Sequence, residues 1–296
     1  MIDRTYCLHL TLLVILAIIW GSAFTSIKIG IDSIPPLTLV AVRLIIAVTV
    51  LYGILLVRGK KLLYLGKDWI TLFILGFTGS TCPFFLISWG ETGINSSTAG
   101  ILMAVMPLVT IVAAHFFTND ERITTTKILG VVIGFGGVVL LVGREAGDVF
   151  GSKLVYELAV SGAAIFYGIS AVITRRLPKS GDPVERGVAV TLCSFIQILP
   201  ISLIIDKPWL LAPSTPSLWA AIYLGLFPTA VGALIYFYII QKRGTTFFAS
   251  INYMIPCVGV VMGVILLEEE IEMRSIVALC IILSGILITN RVGGLR

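Results

Sequence analysis

Ten apolar runs, each about 20 residues long, constrain the fold of this chain more than any motif does. They cover approximately residues 9–29, 37–57, 69–90, 96–117, 124–143, 154–174, 187–205, 217–239, 247–267 and 275–290. A helix needs about 20 mostly apolar residues to cross a bilayer. The runs therefore predict an all-α integral membrane protein with ten transmembrane helices and short connectors.

The composition excludes most other classes of protein. Apolar residues make up 57% of the chain and charged residues 12%, and the mean hydropathy is +1.04. The sequence has no Walker A loop, no HExxH motif and no Cys/His cluster with metal-ligand spacing, so we expect no enzyme, no cofactor and no metal. The five scattered cysteines predict free thiols. The net charge of +5 suits anionic lipid headgroups, so we expect lipid contacts and no nucleic-acid partner.

The two halves of the chain repeat each other at an offset of 149 residues, without a gap between the first and last matching pairs, and their starts match loosely at an offset of 147. The matching pairs are Gly76 with Gly225, Pro107 with Pro256, Glu121 with Glu270, and Gly136 with Gly285. The repeat predicts two domains, residues 1–146 and 147–296, each with five transmembrane helices.

The number of helices in each repeat predicts how the two repeats lie in the membrane. Five is odd, so the second repeat enters the bilayer from the opposite side, and the pair is inverted. Most of the 21 lysines and arginines fall in the connectors on the side of the chain ends. The positive-inside rule then predicts that both termini are cytoplasmic.

Helix-breaking residues recur near the middle of corresponding runs. Proline inside a helix removes a backbone hydrogen bond, and lipid offers the freed carbonyl no other partner. Paired interruptions in two repeats point to a central cavity, although a static packing kink is the alternative. The candidate breaks are Gly79, Pro83, Pro107, Pro228, Gly232 and Pro256.

Small residues suggest close helix contacts in two places. Gly130, Gly134, Gly136 and Gly137 line the fifth run. Gly259 and Gly263 form a GxxxG pattern on the ninth run, which either packs inside the bundle or marks a dimer face. The sequence is therefore compatible with a monomer or a homodimer.

Few charged residues lie near the apolar runs. Arg43 lies inside the second run, where it either contacts a solute carboxylate, snorkels to the surface, or pairs with Glu91 or Glu157. Glu91 and Glu157 are predicted at the outer side and are candidates for proton binding. Glu121 and Glu270 are predicted in turns on opposite faces and have structural roles there.

The remaining candidates are polar or amphipathic side chains at mid-depth. Aromatic, methionine and small polar side chains suit the lining of a cavity for amphipathic solutes, and ordinary helix packing is the alternative. The set of candidate solute-binding residues is completed, beside Arg43, by Trp20, Ser22, Ser80, Met103, Tyr167, Asn252 and Tyr253.

Two segments resemble a known family. The stretch WGSAFTSIKIGIDSIPPLTLVAVRLIIAV, residues 20–48, is similar to the opening of the EamA-type transporters of the drug/metabolite transporter superfamily. The stretch AVMPLVTIVAAHFFTNDERITTTKILGVVIGFGGVVL, residues 104–140, resembles a later block, and residues 253–289 resemble its second copy. The second copy departs from the family pattern at two positions. Ile271 stands where a basic residue is often found, and Tyr167 stands where the first copy has tryptophan, so the resemblance does not extend to symmetric charged turns.

The resemblance implies a ten-helix secondary transporter of a bacterial inner membrane, moving small organic solutes by alternating access and frequently exporting amino acids. Within the superfamily, a multidrug or nucleotide-conjugate carrier is the alternative. A membrane sensor or a membrane-embedded enzyme is the alternative from another class. The sequence opposes an enzyme because two histidines leave little to build a catalytic site with, and it opposes a sensor because the short connectors leave no room for a soluble output domain.

Overall fold

The computed structural model describes residues 4–62, 64, 66, 68–117, 124–142, 153–176 and 182–291. Within these ranges the regular secondary structure is helical. The helices are α1 (Arg4–Gly30), α2 (Pro36–Val57), α3a (Asp68–Gly76), α3b (Cys82–Gly90), α4a (Ser96–Met103), α4b (Met106–Phe117), α5 (Thr125–Val142), α6 (Lys153–Arg176), α7 (Pro183–Ile205), α8a (Thr215–Leu224), α8b (Gly232–Phe248), α9 (Ile251–Leu267) and α10 (Met273–Arg291). Below, α3, α4 and α8 each denote the whole transmembrane helix that the two segments form.

The ten apolar runs are confirmed as helices, and most bounds lie within a few residues of those expected. The eighth helix is longer than expected, because it continues past residue 239 to Phe248 with a kink at Gly244. Eight helical stretches are long and apolar enough to cross a membrane. Two more, Ile251–Leu267 and Met273–Thr289, are apolar and slightly shorter. The five cysteines are free thiols, as expected. Glu121 and the predicted boundary between residues 146 and 147 lie outside the described residues.

Two π-helical segments interrupt matching helices of the two repeats. Phe77–Thr81 joins α3a to α3b, and Gly225–Val231 joins α8a to α8b. The offset of 149 places the first segment inside the second. A π segment leaves backbone carbonyls without their usual helical donors and is frequent at functional sites. The predicted breaks at positions 79, 83, 228 and 232 therefore mark real irregularities.

Pro107 and Pro256, which the repeat makes equivalent, have different positions in their helices. Helix α4 is interrupted at Ala104–Val105, so Pro107 lies in the first turn of α4b, where its missing N–H has no partner to lose. Pro256 instead lies inside the continuous helix α9. The prediction of a break at Pro256 is wrong, because the chain is already interrupted at Ala249–Ser250 before α9 begins.

A second irregularity precedes α9. Gly244 has φ 79° and ψ 176°, a left-handed backbone that glycine adopts without steric cost. The 149-residue offset places Gly244 opposite Asn95, the residue before α4a. The connector between the eighth and ninth helices therefore corresponds to the connector between the third and fourth.

The packing partners follow a two-fold pattern that exchanges the repeats. Three pairs combine equivalent helices: α2 with α7, α4 with α9, and α5 with α10. Most of the larger remaining contacts come in exchanged sets, so α1 packs on α9 as α6 packs on α4, and α1 packs on α8 as α6 packs on α3. This exchange supports two five-helix repeats of inverted topology.

Glycines permit the closest of these crossings. A Cβ on Gly285 of α10 would lie 2.5 Å from the Gly130 carbonyl oxygen and 2.6 Å from the Gly134 nitrogen of α5. Gly259 and Gly263 of α9 face Phe24 of α1 and Ser96 of α4 inside the same chain. The GxxxG pattern is therefore occupied within the bundle. Gly130, Gly134 and Gly137 of α5 pack closely as expected, whereas the expectation for Gly136 is wrong, because it is exposed and has no neighbour within 4 Å.

The core differs between the two ends of the bundle. We call them the Gly30 end, where α1 finishes, and the Leu13 end, where it starts. Toward the Gly30 end one buried cluster joins both repeats, with Ile27, Ile101, Val160 and Ala278 among its members. Toward the Leu13 end the buried side chains form four separate smaller clusters. A second cluster toward the Gly30 end includes Leu37, Val40 and Ile198. The Gly30 end is therefore the more continuously packed end because its main cluster spans both repeats, and packing at the Leu13 end is divided.

Candidate functional site

A buried arginine lies where the two repeats meet. Arg43 of α2 is 6% exposed, and its Nε donates a 2.7 Å hydrogen bond to the Oγ1 of Thr229 in the second π segment. Its guanidinium carbon lies 3.7 Å from the centroid of the Phe84 ring. Arg43 is therefore enclosed by the bundle, and the alternative that it snorkels to the surface is wrong.

The charge of Arg43 has little polar compensation. Among the described residues, no carboxylate lies within ion-pair distance of its guanidinium, so the proposed pairing with Glu91 or Glu157 does not occur. Tyr167 of α6 interacts with it electrostatically. Desolvating a cation costs several kcal/mol unless ionic or hydrogen-bonding partners replace water. The site thus presents an unneutralised positive charge beside aromatic rings.

Thr229 was not predicted from the sequence. Its hydroxyl accepts the Arg43 hydrogen bond and donates one of 2.8 Å to the carbonyl oxygen of Leu224, five residues earlier. The i–5 spacing belongs to the π segment, which the sequence does not reveal. Proximity to Pro228 is the only sequence signal that could have indicated it.

Trp20 approaches the same π segment from α1. Its Nε1 donates a 3.0 Å hydrogen bond to the Pro228 carbonyl, the residue next to Thr229. Its ring lies 6.1 Å from Tyr236 and 6.0 Å from Phe248, measured between centroids. Two adjacent residues of the π segment therefore bind different groups. The Pro228 carbonyl binds Trp20 of the aromatic cluster, and the Thr229 hydroxyl binds the Arg43 guanidinium.

The site is tightly fitted at Gly232 and Gly79. A Cβ on Gly232 would lie 2.6 Å from the Trp20 Nε1, and one on Gly79 would lie 2.6 Å from the Ser170 Oγ of α6. Pro83 is buried in the first turn of α3b. The two glycines permit close packing beside the π segments, because a side chain at either position would displace a neighbour.

The other predicted residues divide into two groups. Ser22 is buried and its hydroxyl lies 2.7 Å from the Tyr223 hydroxyl of α8a, so it is occupied in an inter-repeat hydrogen bond. Tyr167 is partly buried and packs against two clusters of the core at once. The remaining members of the predicted set are partly buried: Ser80, Met103, Asn252 and Tyr253. Tyr253 and Met103 pack against the main cluster.

The two carboxylates that the sequence suggested lie at the Gly30 end, away from Arg43. Glu91 follows α3b and is 0% exposed, and neither carboxylate oxygen has a hydrogen-bond partner. Glu157 lies in the first turns of α6, is 5% exposed, and borders a cavity of about 110 Å³. Proton binding by either residue stays a prediction.

Another carboxylate at this end, without a sequence signal of its own, joins the two repeats. Glu269, in the connector before α10, accepts hydrogen bonds from the backbone N–H groups of Ser96 and Ser97, at 2.7 and 3.0 Å. These groups begin α4a, so a side chain of the second repeat caps a helix of the first. The neighbouring Glu270, which the repeat pairs with Glu121, is exposed.

Proteins of similar sequence are found in bacteria and archaea. An uncharacterized transporter of Archaeoglobus fulgidus is 27% identical over 92% of this chain and 95% of its own length. An uncharacterized transporter of Buchnera aphidicola is 30% identical over 81% of this chain and 80% of its own length. A probable terminal-alkyne amino-acid exporter of Streptantibioticus cattleyicolor is 25% identical over 94% and 92%, respectively.

A solved crystal structure shares the fold. It superposes with a TM-score of 0.66 at 21% identity and covers 95% of this chain and 96% of its own. The sequence model of the EamA-like transporter family matches two stretches, residues 8–143 and 154–291, which together span nearly the whole chain. The protein is therefore a multi-pass membrane transporter that belongs to the EamA-like transporter family.

Proposed function

We propose that this transporter exports small amphipathic metabolites that carry a carboxylate, amino acids being the prime class, by alternating access between its two repeats. The observation that carries the proposal is the buried guanidinium of Arg43 between α2, Phe84 and the second π segment. No ATP-binding motif accompanies it, so transport is secondary.

Arg43 supplies the recognition of an anionic group. A guanidinium binds a carboxylate through two parallel N–H donors, and here only Nε is engaged, by the neutral hydroxyl of Thr229. A solute carboxylate would neutralise a charge that is otherwise costly at this depth. A phosphate-bearing solute would call for several inward cations, and this neighbourhood offers one.

Aromatic side chains supply the apolar part of the recognition. Phe84 and Tyr167 lie beside Arg43, and Trp20 with Tyr236 and Phe248 lies on the adjacent turn of backbone. Aromatic solute groups gain about 0.5–1.5 kcal/mol from each well-placed ring contact beyond their burial. The name of the Streptantibioticus relative, a probable amino-acid exporter, agrees with this class of solute.

The uneven packing supports alternating access. The Gly30 end has one core joining the repeats, and the Leu13 end has divided packing, as expected when a central site communicates with one side. The paired π segments are points where helices can bend without breaking regular hydrogen bonds. By the positive-inside rule the Leu13 end faces the cytoplasm, so this arrangement would receive solute from inside.

Counterflow in proteoliposomes tests the proposal. Vesicles loaded with one amino acid at high concentration should accumulate the same labelled amino acid, and a panel of amino acids gives the range. Arg43→Gln should weaken half-saturation at least tenfold, a drop of about 1.4 kcal/mol or more. Arg58→Gln, at the exposed end of the same helix, is the matched control and should transport normally.

Two outcomes would reject the assignment. If the whole panel fails while nucleotide conjugates or multidrug substrates are taken up, the amino-acid class is wrong. If Arg43→Gln transports with unchanged affinity, Arg43 does not contact the solute. Asn252→Ala and Trp20→Ala extend the test, since unchanged affinity in both removes them from the site.

A further inference from the structure

The continuously packed Gly30 end is held by a contact between the repeats. The carboxylate of Glu269 caps α4a through the N–H groups of Ser96 and Ser97. The fit is close, because a Cβ on Gly263 would lie 2.5 Å from a Glu269 oxygen. We call this contact the Glu269 cap. Exposing the central site to this end requires α4 to part from the connector of the second repeat.

A lysine ties α1 to the connector that leads into α4a. The Nζ of Lys28 donates to the carbonyl oxygens of Glu91 and Ile94, at 2.6 and 2.8 Å. Both carbonyls belong to the turn between α3b and α4a. Lys28 therefore holds the backbone that sets the position of the Glu269 cap, and its ammonium group is used on neutral acceptors.

The side chain of Glu91 lies inside this assembly. It is 0% exposed, and both carboxylate oxygens lack hydrogen-bond partners. The charged groups that interact with it are Lys28, which attracts its anion, and Glu269, which repels it. Helix α6 packs on the same turn, where Tyr156 contacts Gly90 and Gly93, and it contributes one further carboxylate, Glu157.

Burial raises the pKa of Glu91 well above its ordinary value of 4.5, Lys28 opposes that rise, and Glu269 adds to it. Burial also tends to raise the pKa of Glu269, but hydrogen bonds from Ser97 and Ser96 hold it below its ordinary value. The environment thus favours the charged form of the cap and the protonated form of its neighbour.

We propose that Glu91 is the proton-binding site of this transporter, and that its protonation holds the Gly30 end closed by permitting the Glu269 cap. The inference rests on the proposed alternating access and names the coupling ion. Ionised Glu91 would compete with the two carbonyls for the Lys28 ammonium, and it would repel the capping carboxylate. Both effects act against the closed end.

The sign of the pH dependence follows from linkage. A carboxyl that binds its proton more tightly in the closed state favours that state at low pH. The advantage is lost as pH rises toward the pKa of the closed state. In detergent, where both ends meet the same solution, raising the pH should therefore open the Gly30 end.

Thiol labelling at a buried position measures this opening without any solute. Ala99 of α4a is 0% exposed, so Ala99→Cys should react with maleimide only when the Gly30 end opens. The exposed native Cys7 is kept as an internal reference for the thiol's own pH dependence, and the other cysteines are replaced. Between pH 5 and 9 the labelling ratio should rise by about tenfold per pH unit over the linked window and then level off.

Variants separate Glu91 from the cap. Glu91→Gln should keep the ratio low at every pH, and Glu269→Ala should raise it at every pH. Glu270→Gln, next to the cap and exposed, is the matched control and should follow the unaltered protein. Infrared absorption of a protonated carboxyl in the unaltered protein gives a measure that needs no variant at Glu91, since its loss should follow the labelling ratio.

A flat ratio in the unaltered protein, an unchanged pH course in Glu91→Gln, or an infrared band that does not follow the ratio would each overturn the inference. These results would leave the amino-acid counterflow and its dependence on Arg43 untouched. Conversely, failure of counterflow would not alter the labelling. The two proposals therefore fail separately.

Discussion

At the residue scale, Thr229 joins a side chain of the first repeat to the backbone of the second. Its hydroxyl accepts from Arg43 and donates to the carbonyl of Leu224, the last residue of α8a. Pro228, beside it, accepts from Trp20. The residues that surround the candidate site are thus coupled through two adjacent backbone positions, so a change at one should be felt at the others.

Replacing the Thr229 hydroxyl should therefore destabilise the protein out of proportion to its size. Thr229→Val keeps the shape but leaves the Arg43 Nε and the Leu224 carbonyl without this partner, which should cost about 1–3 kcal/mol. Thermal unfolding in detergent measures the loss. Thr229→Ser retains the hydroxyl and is the matched control. Equal melting temperatures for the two variants would show that the hydrogen bonds do not matter.

A second residue-scale prediction concerns the Leu13 end. Asp182 caps α7 by accepting a 2.8 Å bond from the Val184 N–H, and it pairs with Lys60. Burial alone would raise the pKa of Asp182, but the Lys60 and Val184 hydrogen bonds hold it below the ordinary 3.8. Its stabilisation is therefore complete above pH 3.8 and lost as pH falls through the lower folded value.

Asp182→Ala should cost about 1 kcal/mol near neutral pH, the usual worth of a helix cap. The difference from the unaltered protein should shrink only below the ordinary carboxyl pKa. Thermal unfolding at a series of pH values measures it. Asp68→Ala, an exposed aspartate at the start of α3a, provides the comparison. A pH-independent difference would contradict the role of the charge.

At the element scale, the closest helix crossings lie at glycines, which have no side chain to separate the backbones. The pair α5 and α10 crosses backbone to backbone at Gly130, Gly134 and Gly285, and α9 meets α1 and α4 at Gly259 and Gly263. In lipid, helix association depends on such close packing because the surrounding tails are as apolar as the helices. Glycines that look alike in sequence therefore differ in importance according to what faces them.

Gly285 and Gly136 form a test of this difference, since the repeat makes them equivalent in sequence. Gly285→Ala would place a Cβ 2.5 Å from the Gly130 oxygen, whereas Gly136→Ala would meet nothing within 4 Å. We expect Gly285→Ala to lose about 1–3 kcal/mol and Gly136→Ala to be neutral or slightly stabilising. Melting temperatures in detergent decide, and equal losses would contradict the close crossing.

At the scale of the whole molecule, the two repeats make similar helix contacts, but the two ends of the bundle are packed differently. One end is sealed by a joint core, the Lys28 contacts and the Glu269 cap. The other end divides into separate clusters. This asymmetry of packing within a nearly symmetric framework is the basis of the proposed alternating access.

The membrane orientation is the prediction at this scale. Ten crossings place both chain ends on one side, and the excess of lysine and arginine in the connectors of that side predicts the cytoplasm. Epitope tags at the two ends should both resist protease in intact spheroplasts and be digested after permeabilisation. A tag inserted between α7 and α8a, on the opposite face, is the control. Digestion of either end in intact spheroplasts would contradict the orientation.

Much of the fold could be predicted because it depends on one-dimensional quantities. The length and spacing of apolar runs predicted the ten helices, and the repeat paired the helix-breaking residues Gly79 and Pro228, which lie in the two π segments. Pro107 and Pro256 show the limit of that reasoning. Both are equivalent in sequence, yet one begins a helical segment and the other lies within one, because the preceding interruptions differ.

The sequence by itself determined that the chain must be a duplicated helical membrane protein, because lipid allows the backbone no other solvent than its own hydrogen bonds. It also singled out Arg43 and Glu91, since charges near a bilayer are rare and costly. Only the tertiary structure decided their surroundings: Thr229 and Phe84 at Arg43, and Lys28 near Glu91. Those neighbours come from distant parts of the chain, and inter-helix packing, which has no linear pattern, selects them.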